Sequence, residues 1–259
     1  MPNAPLHLHR CALQGYGQGA QTYARGRPGF PPGALEWLRR DLRLAPDKLA
    51  LEIGAGTGKF TSLLTQTGAD VVAVEPVAAM LAQLAAEQPR VRTLRAAAQD
   101  LPIASASVDA VICAQAFHWF ASAECLREIH RVLKPGGALG LIWNVRDQSM
   151  DWVRKLTGIM SPHEGDAPRY DHGEWRAVFP ARGFSALRER SYAHSHVGPA
   201  EVVIVDRVAS VSFIAALDVA ARGAVLDEVR ALIATKPELA GRETVSVPYI
   251  TRAYWCEAV

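Results

Sequence analysis

From Leu49 onward, short apolar runs alternate with amphipathic stretches. Leu49 to Ile53, Val71 to Val74, Val91 to Ala96, Val108 to Ala114 and Ala138 to Trp143 are apolar nearly throughout, as strands covered on both faces are. Between them, Lys59 to Thr67 sets Phe60, Leu63 and Leu64 on one helical face, and Val77 to Gln88 turns Met80, Leu81 and Leu84 inward. Ala121 to Leu133 supplies a third helix, ended by the breaker cluster Lys134-Pro135-Gly136-Gly137. A further helix, Gly33 to Leu42, precedes the first strand. Alternation of this kind predicts an α/β fold with a parallel, doubly wound sheet.

After Asn144 the rhythm changes. Asp147 to about Gly183 is polar and rich in Gly, Pro, Trp and charge, with a helix near Trp152 to Met160. Phe184 to Ser195 and Val245 to Trp255 alternate as strands, and Pro199 to Arg230 carries two helical patterns. The expectation is a single domain in four parts: a lead-in over 1–48, the alternating core over 49–145, a lid or insertion over 146–183, and a C-terminal part over 184–259 that closes the sheet with an antiparallel pair.

The first crossover carries the chemistry. Glu52-Ile53-Gly54-Ala55-Gly56-Thr57-Gly58-Lys59 turns a strand sharply into a helix through three glycines at alternate positions, so a ligand can lie against bare backbone. A dinucleotide fingerprint needs a third glycine where Lys59 stands. A phosphate-binding loop needs glycine where Ile53 stands and a hydroxyl where Phe60 stands. The dinucleotide reading is weakened and the phosphate-loop reading fails, leaving the pattern Glu52-x-Gly54-x-Gly56-x-Gly58 or a glycine turn without a ligand. Glu75 follows at the end of the second strand, where an acid accepts ribose hydroxyls or simply favours a helix N-terminus.

Composition narrows the function classes. With 259 residues the chain can bury one sizeable core, and 49% hydrophobic against 21% charged residues is ordinary globular composition. A formal charge of +2 offers no nucleic-acid footprint, so a small-molecule partner is expected. Cys11, Cys113, Cys125 and Cys256 form no CxxC pair and suit buried thiols in a reducing compartment. The longest apolar stretch, Val202 to Ala221, is cut by Asp206, Arg207 and Asp218, and no leader is apparent; no membrane partner and a cytoplasmic location are expected. His7-x-His9-x-Cys11 reads as a terminal segment before a metal site, and no metal is expected. Asp109 reads as a strand-start acid.

The glycine pattern, together with Ala114-Gln115-Ala116-Phe117-His118-Trp119-Phe120 and Leu126-Arg127-Glu128-Ile129-His130-Arg131-Val132-Leu133-Lys134-Pro135-Gly136-Gly137, resembles class I S-adenosylmethionine (SAM)-dependent methyltransferases, in particular small-molecule enzymes of the type that includes trans-aconitate methyltransferase. Tyr23-Ala24-Arg25-Gly26-Arg27-Pro28 is similar to that family's segment covering the cofactor. The resemblance covers roughly residues 45–145 well and is only architectural beyond Arg146.

It implies a Rossmann-like, seven-stranded, mainly parallel sheet with an antiparallel closing strand, SAM as cofactor, and methylation of a small molecule at a carboxylate or hydroxyl oxygen. Tyr23 and Arg27 would cover the cofactor, Glu52, Gly54, Ala55, Gly56 and Gly58 would line its methionine side, and Glu75 would take the ribose. Pro76 and Met80 would contact the adenine, with Ala98 and Gln99 at the base edge; Ala114, Gln115 and His118 would face the methyl group. His118 is the candidate base or substrate orienter, with a packed first-turn residue as the structural reading. Trp152, Trp175 and His172 read as core or as an acceptor pocket. A monomer or homodimer is expected. A non-catalytic SAM- or nucleotide-binding protein and an NAD-linked oxidoreductase stay open as other readings.

Overall fold

The structure, a computed structural model, describes residues 26–259. Tyr23, His7, His9 and Cys11 lie outside the described residues. Seven strands form one sheet in the order β3-β2-β1-β4-β5-β7-β6. The parallel part is β1 (Leu49–Ile53), β2 (Asp70–Val74), β3 (Arg92–Leu94), β4 (Val108–Ala114) and β5 (Leu133–Arg146). β7 (Val245–Glu257) runs antiparallel to both β5 and β6 (Arg188–Gly198), which leaves it as the one reversed strand. The predicted doubly wound sheet and its closing pair are thus present, and β1 and β4 begin and end at the expected residues.

Alternation within the central strands divides the sheet into two unlike faces. Leu51, Ile53, Val111, Cys113, Leu139 and Leu141 point to one, where α4 (Ala123–Val132) lays down Cys125, Leu126, Ile129 and Val132. Ser122 caps that helix by accepting the Cys125 amide at 3.1 Å. The other face is floored by Ala50, Ala110, Ala138 and Gly140, so α1 (Pro32–Arg40) packs close through the fully buried Trp37. A Cβ at Gly140 would sit 2.6 Å from Leu42 and 2.8 Å from the Trp37 ring, so glycine is the only residue this contact admits without a shift. α2 (Thr61–Thr65) and α3 (Ala78–Glu87) complete this layer, with Leu64 and Leu84 buried.

Between β3 and β4 the crossover is irregular and is clamped by α4. Arg131 donates to the carbonyls of Ile103 and Leu101 at 2.8 and 3.1 Å, and Glu128 accepts the Leu101 amide at 2.8 Å. Asp109 does the structural work expected of it, accepting the Leu49 amide at 3.0 Å and pairing with Lys134 at 2.8 Å.

A second core lies over the C-terminal half. There α5 (Asp151–Met160) packs Trp152, Val153, Leu156 and Met160 against a π-helical turn (Glu201–Asp206), α6 (Arg207–Ala209), α7 (Ser212–Ala215) and α8 (Val219–Thr235). Two helical patterns were expected across 199–230, and four helical segments stand there. The run Val202 to Val205 packs on three successive residues, which a six-residue π-turn accommodates. The breaker cluster at 134–137 also differs from expectation. It lies inside β5, where Gly136 takes a φ of +73° and the pairing with β4 shifts register, so Pro and Gly form a bulge; β7 pairs with β5 from Ala138 onward, and Ala258 just beyond β7 accepts the Gly136 amide and donates to the Gly137 carbonyl. Among the described residues no helix is long and apolar enough to cross a membrane.

Candidate active site

Strand order reverses direction between β1 and β4, the position at which open α/β sheets bind ligands beyond the carboxyl ends of their strands. Two adjoining cavities lie there. The first is lined by Arg27, Pro28, Phe30, Glu52, Gly54, Ala55, Thr57, Lys59, Phe60, Ala114, Gln115 and Arg207. Its floor is the glycine turn, with φ of +72°, +58° and +88° at Gly54, Gly56 and Gly58. Gly54 is irreplaceable on two counts: its φ is left-handed, and a Cβ would stand 2.6 Å from that of Ala116. The turn is held to the sheet by the amides of Gly54 and Ala55, which both donate to the Val74 carbonyl, at 2.8 and 3.1 Å.

Two acids flank this turn. Glu52 is buried and accepts a 2.6 Å hydrogen bond from Thr61 Oγ1; burial, with a smaller push from Glu75, raises its pKa to about 8 despite that bond. Its carboxyl is therefore largely protonated at neutral pH. Glu75 accepts the Gly56 amide at one oxygen and the Val77 amide at the other, both at 2.9 Å, and burial raises its pKa against those bonds. Thr57 Oγ1 is buried with no hydrogen-bond partner among the described residues, and its residue lines the cavity.

The second cavity encloses about 100 Å³ and opens widely to solvent. Its wall includes Gln115, His118, Trp119, Trp143, Asn144, Tyr170, Ser212, Phe213 and four guanidinium groups, from Arg27, Arg146, Arg169 and Arg207. Asp171 is the one acid in that lining. Arg169 is neutralised by Glu164 at 2.9 Å and Asp171 at 3.5 Å. Among the described residues Arg146 makes no ion pair and meets the thioether of Met160 at 3.6 Å; burial pulls its pKa below the usual arginine range, aided by Arg169 and Arg27 and opposed by Tyr249 and Asp171. A sunken cation with no carboxylate in direct contact is costly to hold, and an anion from outside would offset that cost.

Arg27, Gln115 and Arg207 line both cavities. Gln115 has a φ of +59°, rare for a residue with a side chain and frequent where strain serves a site. Its amide donates to Ile142 at 2.8 Å. His118 follows in a 3-10 turn, Phe117–Trp119; the Trp143 indole N–H donates to its Nδ1 at 3.1 Å, and burial, with Arg169 and Arg27 nearby, lowers its pKa to about 3.

The expected site residues divide by this geometry. Arg27, Glu52, Gly54, Ala55, Ala114 and Gln115 converge on the first cavity, and His118 on the second. Gly56 and Gly58 complete the turn, and Met80 reaches to 3.6 Å of where a Gly56 Cβ would be. Glu75, Pro76, Met80, Ala98 and Gln99 lie outside both linings, and Ala98 is part of the main core. Trp152 and Trp175 are buried in the two cores, and His172 pairs with Glu164 at 3.2 Å. The sequence reading assigned no role to Thr57, Lys59, Arg146, Arg169 or Arg207. Lys59 was legible as a cation inside the glycine motif; the other arginines come from segments without a motif.

Comparison with known proteins agrees with this geometry. Residues 51–141 match the methyltransferase domain family. Over 236 residues the chain is 39% identical to the uncharacterized methyltransferase Rv3342 of Mycobacterium tuberculosis, covering 91% of this chain and 92% of that protein. The uncharacterized methyltransferase-like protein C25B8.10 of Schizosaccharomyces pombe is 34% identical over 236 residues, with the same 91% and 92% coverage. Among solved structures, the YcgJ protein from Bacillus subtilis shares the fold at a TM-score of 0.57 and 18% identity, over 87% of this chain and 98% of that one. The cyclase SpnF shares it at 0.52 and 17% identity, over 90% and 85%, which shows that the architecture alone does not fix the reaction. Relatives of matching length, the glycine turn and its flanking acids together make the chain a member of the class I SAM-dependent methyltransferases.

Proposed function

We propose that this protein methylates a small anionic molecule, at a carboxylate oxygen, using SAM. The observation that carries the reading is the meeting of two unlike cavities at Gln115, one floored by bare backbone and one walled by arginines. The residues present fit the cofactor. Gly54 lines the first cavity with bare backbone, Glu52 is a buried acid with no ion pair among the described residues, and Thr57 has a buried hydroxyl with no hydrogen-bond partner among them. Glu52 and the turn would hold the methionine end with its ammonium, and Arg27 and Lys59 its carboxylate. Glu75 would hold the ribose, keeping lone pairs beyond those its two amides use, with Pro76, Met80, Ala98 and Gln99 on the adenine side. When bound, SAM supplies an electrophilic methyl carbon.

The chain's own contribution is placement. Arg146 and Arg207 draw in the acceptor's negative charge, Trp119, Tyr170 and Phe213 supply apolar wall, and residues 167–171 act as part of a lid that limits water. In-line displacement gains most from holding the reactants close and aligned. The test is calorimetry with SAM and its demethylated product, followed by transfer of a labelled methyl group to a library of mono- and polycarboxylic acids. Binding of the cofactor with an esterified product supports the reading. Absence of heat with both cofactor forms on folded protein overturns it, and cofactor binding without any labelled product would favour a non-catalytic binding protein.

A further inference from the structure

The imidazole of His118 occupies the place a base would, yet its bonding gives it the opposite role. We propose that Trp143 fixes His118 as an Nε2–H donor that orients the acceptor's ionised oxygen, so that it is a positioning residue and removes no proton. This rests on the methyl-transfer reading above and specifies how the acceptor is held.

An indole nitrogen can only donate. With Trp143 Nε1–H at 3.1 Å from His118 Nδ1, that nitrogen must present its lone pair, and the single proton of the neutral ring belongs on Nε2. Taking a second proton at Nδ1 would set two N–H groups head to head and break the ring's hydrogen bond to Trp143. It would also place a cation among guanidiniums. Arg27 faces the cavity from the N-terminal side, Arg146 from β5, Arg169 from the 167–171 segment and Arg207 from α6. The depressed pKa of the ring agrees.

Among the described residues, the other groups of the cavity lining that could take a proton are already engaged. Asp171 is held by Arg169 at 3.5 Å, and Tyr170 shares a 2.7 Å hydrogen bond with Tyr254. An acceptor that keeps its proton until methylation has nowhere to deliver it. An oxygen already ionised accepts a methyl group with its own lone pair and releases no proton, so carboxylates satisfy this site and neutral alcohols do not. His118 and Gln115, three residues apart just after β4, line the same cavity, so the His118 Nε2–H and the Gln115 side-chain amide are two neutral donors available to one oxyanion.

The experiment is histidine side-chain 15N NMR on the full chain with the demethylated cofactor bound, the His118 signal assigned by loss in His118→Gln. The expected spectrum shows a neutral ring protonated at Nε2 that does not titrate between about pH 5 and 8, the range in which an ordinary histidine does. In Trp143→Phe the same ring is expected to titrate at higher pH, because its lone pair is released. With a carboxylate substrate from the labelled-methyl library, kcat/KM should stay flat over that range. It should fall roughly 10- to 100-fold in His118→Ala and recover most of that loss in His118→Gln, whose amide N–H replaces the donor. A ring protonated at Nδ1, or one titrating near neutrality with activity following it, overturns the proposal even when the cofactor binds. Absence of cofactor binding overturns the parent reading instead.

Discussion

The two cavities that meet at Gln115 are made of different material. On the glycine-turn side the walls are largely main chain and short side chains, shaped by left-handed φ values and by the Val74 carbonyl that anchors the turn. On the arginine side they are long side chains delivered by β5, the 167–171 segment and the helices after β6. Backbone surfaces suit a ligand that never changes. Side-chain surfaces suit one that differs between relatives, because a substitution alters the pocket without disturbing the fold.

That contrast can be broken most severely at Glu52. Its pKa rises from 4.5 to about 8 on folding, worth on the order of 4–5 kcal/mol. Because the folded value is the higher one, the group costs nothing below pH 4.5, and the stability it withholds grows as pH rises through 8. Glu52→Gln cannot ionise, so urea unfolding from pH 5 to 9 should show the variant pulling ahead of the parent with increasing pH while losing affinity for SAM. Parallel curves would show that this carboxyl is not an ionisation burden.

Next in size, Gly54→Ala combines a left-handed φ with a 2.6 Å approach to Ala116. Calorimetry should record a loss of about 3 kcal/mol, or a hundredfold, in affinity for the demethylated cofactor. Arg146→Met tests the other wall. It should lower kcat/KM toward a carboxylate substrate by about 2 kcal/mol, some thirtyfold, while cofactor affinity stays within threefold. Equal losses of both would dissolve the division between the cavities. Gly140→Ala, far from either, should cost about 1–3 kcal/mol of thermal stability through overpacking against Leu42 and Trp37 and leave both binding constants alone. Smallest of all, Arg230→Ala removes an exposed pairing with Glu201 and Asp227 and should change stability by less than about 0.5 kcal/mol.

The same division marks what could be read from the chain beforehand. Local rules govern β1 and its turn: an apolar strand, three glycines and a helix stand in sequence, so both boundaries and ligand class are legible. Cys113, Cys125 and Cys256 are likewise the buried free thiols expected. The arginine wall obeys no local rule. Arg207 stands directly after a π-turn that packs Val203, Ile204 and Val205 into the second core, and it lines the cleft, whereas in sequence it merely interrupts an apolar run. Arg146 becomes significant only through what its neighbours lack. Lys134 to Gly137 shows the same limit: the cluster ends the helix as expected, but its extended form depends on Ala258, more than a hundred residues away, which hydrogen-bonds Gly136 and Gly137.

Arg27, Gln115 and Arg207 belong to both compartments at once. A molecule that presses on any of them from one side alters the partition met by a molecule on the other, and thermodynamic reciprocity then requires each to change the other's affinity by the same factor. The protein thus has a party wall in place of a corridor. On the proposed reading, loss of positive charge at the methyl donor after turnover would be felt through that wall by the methylated product, and the departure of one would loosen the hold on its neighbour.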